Sequence, residues 1–454
     1  MRIHRSFVLL ALALPTAGCG RVDAPPDHPP AVAAAAARYA VRTDLMAVGD
    51  LGVPPRWYSA GFPPLRSARL GDRSPDAEFV ALLAPKMASK TPAIVDPETG
   101  LTAAQRDDVG ALLDAYFGTP AAPVVRVPTA DQAKALKLEE VMTKAGEVAA
   151  ALAEADAAKA ALALDDAALA RGGVLYRRWC LQCHGPTGAG DGAHAVAAAA
   201  PPRDYRRGLF KFVTCYPAGT PRGGELGKAR ADDLKRTIRN GLDGSMMPPF
   251  PQFTDPDLEA LAGYVVHLSA RGEAEFEVIA RVIKLTTNPN DDDPAYSREF
   301  AEQLLVQRLL QTLGNWKRMN DSPVPVPPEN APTELDRLAS AARGYKAFTG
   351  ACAACHQDYG RTPQLKFDLW GTVVQPRNLT LGVYRGGRRG EDLYARVYAG
   401  IYPSTMPDAK AKAANPVPTG QPDEIWDVVH FLQALADPRE RAHLQQLDPG
   451  IKIE

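Results

Sequence analysis

The chain has 454 residues, a formal net charge of −1 and 23% charged residues. Nothing in that balance marks a nucleic-acid binder or a strongly charge-steered partner. The length allows about three domains, and a composition of only 7% aromatics with abundant Ala and Pro suits helical modules on stiff linkers rather than a large β-sandwich.

Residues 1–19 read as a targeting segment. Arg2 and Arg5 form a basic start, and Phe7 to Leu14 an apolar core far too short to span a bilayer. Leu14-Pro-Thr-Ala-Gly-Cys19 resembles a bacterial lipoprotein box, with small residues before the cysteine. The expectation is export to the periplasmic side of a bacterial membrane with a lipid on Cys19. Thr16 stands where Leu is more usual, which leaves simple signal cleavage as the alternative. No other window approaches 18 apolar residues, so the mature chain is expected to be anchored or soluble, not spanning.

Residues 20–165 form an N-terminal extension that begins with a Pro/Ala-rich tether. Leu101-Thr102 reads as a helix start: Thr102 can cap, and Leu112, Leu113, Tyr116 and Phe117 supply an apolar face. From Ala130 to Ala170 the chain is rich in Ala, Lys and Glu and favours helix. Residues 166–272 and 336–440 each contain Cys-x-x-Cys-His, as Cys180-Leu-Gln-Cys183-His184 and Cys352-Ala-Ala-Cys355-His356. This spacing marks c-type haem attachment: two thiols on one helical turn bond the porphyrin, and the following histidine lies under the iron. Two haem c groups are therefore expected. Between the two segments, residues 273–335 read as a helical connector around Phe300 to Leu313, followed by the rigid tract Pro323-Val-Pro-Val-Pro-Pro328. Residues 441–454 are left as a C-terminal tail.

An internal repeat locates the rest of each site. Arg171-Gly172 and Arg343-Gly344 stand nine residues before the first cysteines, and Tyr176 and Phe348 four before. Pro202-Arg203-Asp204 matches Pro376-Arg377-Asn378, and Asp233-Leu234 matches Asp392-Leu393. Six residues beyond Gly241 and Gly400 come Met247 and Met406, each followed by proline. Leu258, Leu261, Tyr264, Val265 and Leu268 then correspond to Ile425, Val428, Phe431, Leu432 and Leu435, one apolar helical stripe. The first copy is longer by fifteen residues around Lys211 to Ala229, expected as a loop on the haem rim. That stretch holds Cys215, expected as a buried thiol.

A good outer-sphere carrier needs a second axial ligand, and methionine thioether favours ferrous iron. Met247 and Met406 coincide when the repeats are aligned, and Met246 is the alternative in the first site. His267 and His430 lie on the terminal helices without coinciding, and His194 falls in a glycine-rich loop, so none forms a competing set. Arg203 and Arg377 could pair with haem propionates, or equally be solvated surface arginines.

Both segments resemble class I cytochrome c domains, particularly those of dihaem c-type subunits of bacterial respiratory complexes. The resemblance rests on Cys-x-x-Cys-His, on Gly185-Pro-Thr-Gly188-Ala-Gly190-Asp191-Gly192 in the first copy, and on the Pro-Arg and Met-Pro pairs with their closing helices. The second copy departs after His356, where Gln357-Asp358-Tyr359-Gly360 replaces the glycine-rich loop. The resemblance implies a mainly α fold of two tandem cytochrome c domains plus a helical extension. It also implies a proline carbonyl, from Pro202 or Pro376, to orient each proximal imidazole. The expected role is electron transfer from a quinol-oxidising complex or dehydrogenase to a terminal oxidase or reductase. The competing class is a dihaem peroxidase, which needs one iron with a displaceable sixth ligand and acid–base residues beside it.

Overall fold

The structure, a computed structural model, describes residues 101–453 apart from 143–146, 196–197, 199–201, 217–226, 288–295, 330, 363–365, 368–372, 403, 405 and 410–422. Cys19, the tether and the targeting segment lie outside the described residues. The chain is mainly helical.

Helix α1 (Ala103–Phe117) starts where a cap was expected. Thr102 Oγ1 accepts from Gln105 N, and the Gln105 side chain accepts from Thr102 N at 2.9 Å, a reciprocal capping box. A two-residue hairpin, β1 (Gly118–Thr119) with β2 (Ala122–Pro123), turns the chain back. Short helices α2 (Ala130–Ala135) and α3 (Leu138–Val141) lead to α4 (Glu147–Ala161). Then come α5 (Asp166–Trp179), the single turn α6 (Leu181–His184), α7 (Ala231–Asn240), α8 (Asp255–Thr287) and α9 (Arg298–Asn320). Helix α8 runs 33 residues, about 50 Å at 1.5 Å per residue. The expected boundary at 272 falls inside it, because Glu273 to Arg281 contains no helix breaker.

One continuous core joins the extension, the first copy of the repeat and the connector. Leu112, Leu113 and Phe117 of α1, Leu152 and Ala158 of α4, Leu261 and Tyr264 of α8, and Leu309 and Trp316 of α9 all belong to it. Polar bonds fasten the same unit: Gln303 Nε2 donates to the Leu136 carbonyl at 2.8 Å, and Tyr116 Oη to Glu302 at 2.8 Å. The extension is thus part of the first domain's body.

The second body contains α10 (Glu334–Ala351), the pair β3 (Lys366–Phe367) with β4 (Val373–Val374), α11 (Gly390–Ala399), α12 (Glu424–Ala436) and α13 (Pro438–Leu447). Its core includes Phe348, Trp426, Phe431 and Leu435, together with Leu444, Ile451 and Ile453 from the C-terminal tail.

The same helix crossing builds both copies of the repeat. Glycine lets the backbones touch: a Cβ at Gly172 would strike the Ala260 carbonyl and lie 2.8 Å from Tyr264 Cβ, and one at Gly344 would strike the Asp427 carbonyl and lie 2.9 Å from Phe431 Cβ. Tyr264 and Phe431 are matched positions of the repeat. The preceding arginine pins each crossing, Arg171 to Asp257 at 2.5 Å and Arg343 to Asp427 at 2.7 Å. Asp427 is buried and also accepts from Ser340 Oγ at 2.5 Å, while Ser340 bonds His430 Nδ1 at 2.7 Å. Asp427→Ala leaves that buried hydroxyl short of its acceptor and is expected to cost about 2–3 kcal/mol in thermal unfolding. A melt unchanged from the parent would show that this network contributes nothing.

The described part of the fifteen-residue insertion is a loop, as expected, and it makes an inter-domain contact. Tyr216 N donates to the Ser322 carbonyl and Val324 N to the Thr214 carbonyl, both at 2.9 Å, so the insertion pairs with the start of the linker. Tyr216 then meets Tyr398 edge-on at 5.7 Å, and Arg396 lies over the Phe212 ring at 4.9 Å. Local composition marks a loop, but only the tertiary structure says what it pairs with. Cys215 in the middle of this strand pair is buried as expected, its Sγ 3.2 Å from the Lys228 carbonyl.

Candidate haem sites

Each Cys-x-x-Cys-His sits on the turn that follows the crossing helix. In the first domain Cys180 N donates to the Tyr176 carbonyl at 2.8 Å, and Cys183 N and His184 N both donate to the Cys180 carbonyl, at 3.1 and 2.9 Å. The second domain repeats this: Cys352 N to Phe348, then Cys355 N and His356 N to Cys352, at 2.8, 3.1 and 2.9 Å. The helical turn places both thiols and the imidazole of each motif on one short stretch, as two thioether bonds and one axial ligand require.

His184 is held by what packs on it. Tyr205 stacks on its ring at 4.6 Å and 20°, and the Arg203 carbonyl lies 3.3 Å from Nδ1. A proton on Nδ1, donated to that carbonyl, leaves Nε2 as the free lone pair for iron. Desolvation pushes the imidazole down to about 4, with the Arg203 carbonyl opposing it, so the ring is neutral at physiological pH. Tyr176 Oη closes the turn by donating to the Gly185 carbonyl at 2.7 Å.

The orienting carbonyl is Arg203's, not that of Pro202. Successive carbonyls of an extended chain point to opposite sides, and that of Pro202 faces Gly190, where an added Cβ would stand 2.5 Å from it. In the second domain it is the Arg377 carbonyl that closes over the loop glycine, Gly360, whose φ of +83° a side chain would strain.

The methionine loops repeat bond for bond. Leu242 N donates to the Met247 carbonyl at 3.1 Å and Ile401 N to the Met406 carbonyl at 3.2 Å. Ser245 Oγ donates to the Leu242 carbonyl and Ser404 Oγ to that of Ile401, both at 2.7 Å, and each serine oxygen accepts from its methionine N–H. Gly241 and Gly400 share a φ of +68°, which starts both loops. Met247 packs against the first core, whereas Met246 is 54% exposed.

The two histidines of the closing helices are occupied elsewhere. His267 is fully buried with Nε2 2.8 Å from the Phe117 carbonyl, and buried His430 lies between Ser340 and Glu329. His194 is exposed in the loop after the first motif. A thiol pair, an imidazole and a thioether loop in each domain form a donor set that fits a covalently held haem. Cys180, Cys183, His184 and Met247 would hold one, and Cys352, Cys355, His356 and Met406 the other.

Two features were not anticipated. The Pro-Arg match extends further, from Pro202-Arg-Asp-Tyr-Arg-Arg-Gly208-Leu-Phe-Lys211 to Pro376-Arg-Asn-Leu-Thr-Leu-Gly382-Val-Tyr-Arg385. Both copies fold as a 3₁₀ turn capped by the Asp204 or Asn378 side chain and ended by Gly208 or Gly382 at φ of +61° and +63°. The first site also has an aromatic rim: Trp179, 42% exposed, packs edge-on to Phe250 and Phe253 at 6.3 and 6.1 Å. The corresponding positions next to the second motif and loop are Ala351 and Ala409.

Two family descriptions match parts of the chain. Residues 167–265 match the family described as cytochrome c oxidase, cbb3-type, subunit III, and residues 341–436 match the family described as cytochrome c. No curated protein matches the chain. Among solved structures, a chain of the reducing HAO-like protein complex of Kuenenia stuttgartiensis is similar at 21% identity, over 59% of this chain and 96% of that one, with a TM-score of 0.38.

Proposed function

We propose that this chain, with its two cytochrome c domains, is an electron carrier holding two haem c groups, each between a histidine and a methionine. The observation that carries the reading is the duplication of the attachment turn and the methionine loop, down to the serine bonds that shape each loop. When bound, each iron supplies one reversible electron.

The protein's part is to hold the ligands still. The Arg203 carbonyl fixes the His184 tautomer, and Tyr205 stacked on the ring restrains its rotation. The serine-braced loops present Met247 and Met406 with little freedom, so ligation changes little between oxidation states. We place the carrier on the periplasmic side of a bacterial membrane, held by a lipid on Cys19. Its donor would be a quinol-oxidising complex or dehydrogenase, and its acceptor a terminal oxidase or reductase. Among the described residues no helix is long and apolar enough to cross a membrane.

The test is mass and absorbance of the protein matured in a periplasm. Two covalent haems per chain are expected, falling to one when Cys180 and Cys183 are both replaced by alanine. A far-red methionine–iron band that keeps its full intensity in Met246→Leu but loses about half of it in Met247→Leu, the rest coming from the Met406 site, assigns the first ligand; the reverse pattern would give the role to Met246.

A further inference from the structure

We propose that Arg377 and Arg385 form a two-guanidinium clamp for a propionate of the second haem, placed where the second domain meets the methionine loop of the first. This rests on the reading of residues 336–440 as a haem domain and adds to it a second cofactor-binding arginine and a physical link between the two sites.

Four observations lead to the clamp. First, the backbone at Arg377 runs beside the attachment motif: its carbonyl packs against Gly360, four residues after His356, and the equivalent Arg203 carbonyl bonds His184. Second, both side chains reach the other domain. A Cβ on Gly244 would strike Arg377 Nη2 and lie 3.2 Å from its Cζ, and Arg385 Nη2 donates to the Gly244 carbonyl at 3.1 Å. Third, no described carboxylate pairs with either guanidinium. Other arginines of the two domains do have a carboxylate partner, Arg343 in Asp427 and Arg389 in Asp392. Arg385 Nε is buried with no hydrogen-bond partner. Fourth, the pair recurs as Arg203 and Lys211 in the first copy, at the same spacing of eight. Recurrence in both haem domains points to the haem rather than to domain packing alone.

The physical argument is one of charge. Burial, and then the neighbouring Arg377 charge, hold the Arg385 guanidinium below its usual range. Two cations brought together in a partly buried seam are unfavourable without an anion between them. A carboxylate accepting from two planar forks meets that need with directed bonds. Because Arg385 also bonds Gly244, three residues before Met247, the clamp ties the rim of one haem to the ligand loop of the other.

The experiment uses the full haem-loaded chain carrying Arg377→Gln, Arg385→Gln or, as a control, Arg388→Gln at an exposed position of the same loop. Both midpoint potentials are titrated over a pH series, with Met406→His identifying the second haem's wave. Removing a cation beside a haem carboxylate disfavours the added electron. Arg377→Gln and Arg385→Gln are therefore expected to lower the second potential, and to make it vary with pH near neutrality as the released propionate titrates. Arg388→Gln is expected to leave it nearly unchanged. Shifts in the two variants no larger than that of Arg388→Gln would overturn the clamp. A Gln variant that loads only the first haem supports it if Arg385→Lys restores the second, and counts against it if Lys does not. Fewer than two haems in the parent protein, or a second wave unmoved by Met406→His, would instead fail the reading on which the clamp rests.

Discussion

Gly344→Ala is expected to destabilise the second haem domain by about 3 kcal/mol, and Gly172→Ala to do the same to the first. At each site the new methyl group would meet a backbone carbonyl of the partner helix, that of Asp427 or Ala260. A carbonyl within a helix cannot swing aside as a side chain can. The helices must separate, and the separation moves the Cys-x-x-Cys-His turn, which follows directly on the glycine-bearing helix. The measurement is thermal unfolding of the loaded protein, followed by the methionine–iron band and by helical dichroism. Gly350→Ala on the same helix α10 is the control: a Cβ there meets nothing within 4 Å. In a helix it should be neutral or gain roughly 0.5–1 kcal/mol. A Gly344→Ala protein that melts with its parent would contradict the close crossing on which both sites are built.

The second large effect concerns the potentials. Met406→His replaces a thioether, which favours ferrous iron, by an imidazole, and is expected to lower one midpoint potential while leaving the other nearly in place. The fall should be on the order of a few tenths of a volt, within the roughly 0.8 V span over which axial ligands set haem potentials. Met247→His should do the same to the other wave. A potentiometric titration of each variant separates the outcomes. Two potentials that move together, or neither moving, would mean that the ligands are misassigned or that the two haems titrate as one coupled unit.

The parts of the candidate site that the sequence could propose are those whose chemistry is local. Cys-x-x-Cys-His needs only one helical turn to bring its atoms together, and alignment of the repeat then singled out Met247 over the exposed Met246. The cap at Thr102 was equally local, a side chain reaching three residues along. What depended on distant backbone was not legible. Pro202 and Arg203 are neighbours, and which carbonyl faces His184 is decided by the direction of an extended strand, which no residue type encodes. The insertion looked like a loop because it contains Gly and Pro, but Thr214 and Tyr216 find their partners more than 100 residues away at Ser322 and Val324. The first domain's boundary was invisible because α8 simply continues, its far half packed against α9 and α1 in a core shared with the extension. Ile451 and Ile453 gave too short a pattern to mark the tail as core, yet both are buried in the second domain.

The central claim is that both irons are closed between histidine and methionine and carry electrons without binding substrate. It is tested most directly by the visible spectrum of the loaded protein, oxidised and reduced, before and after carbon monoxide. Low-spin c-type bands, a weak far-red methionine–iron band and no response to carbon monoxide are the predicted result. A high-spin component that binds carbon monoxide would contradict it, because one iron would then have an open position and the chain would have the means for peroxidase-type chemistry.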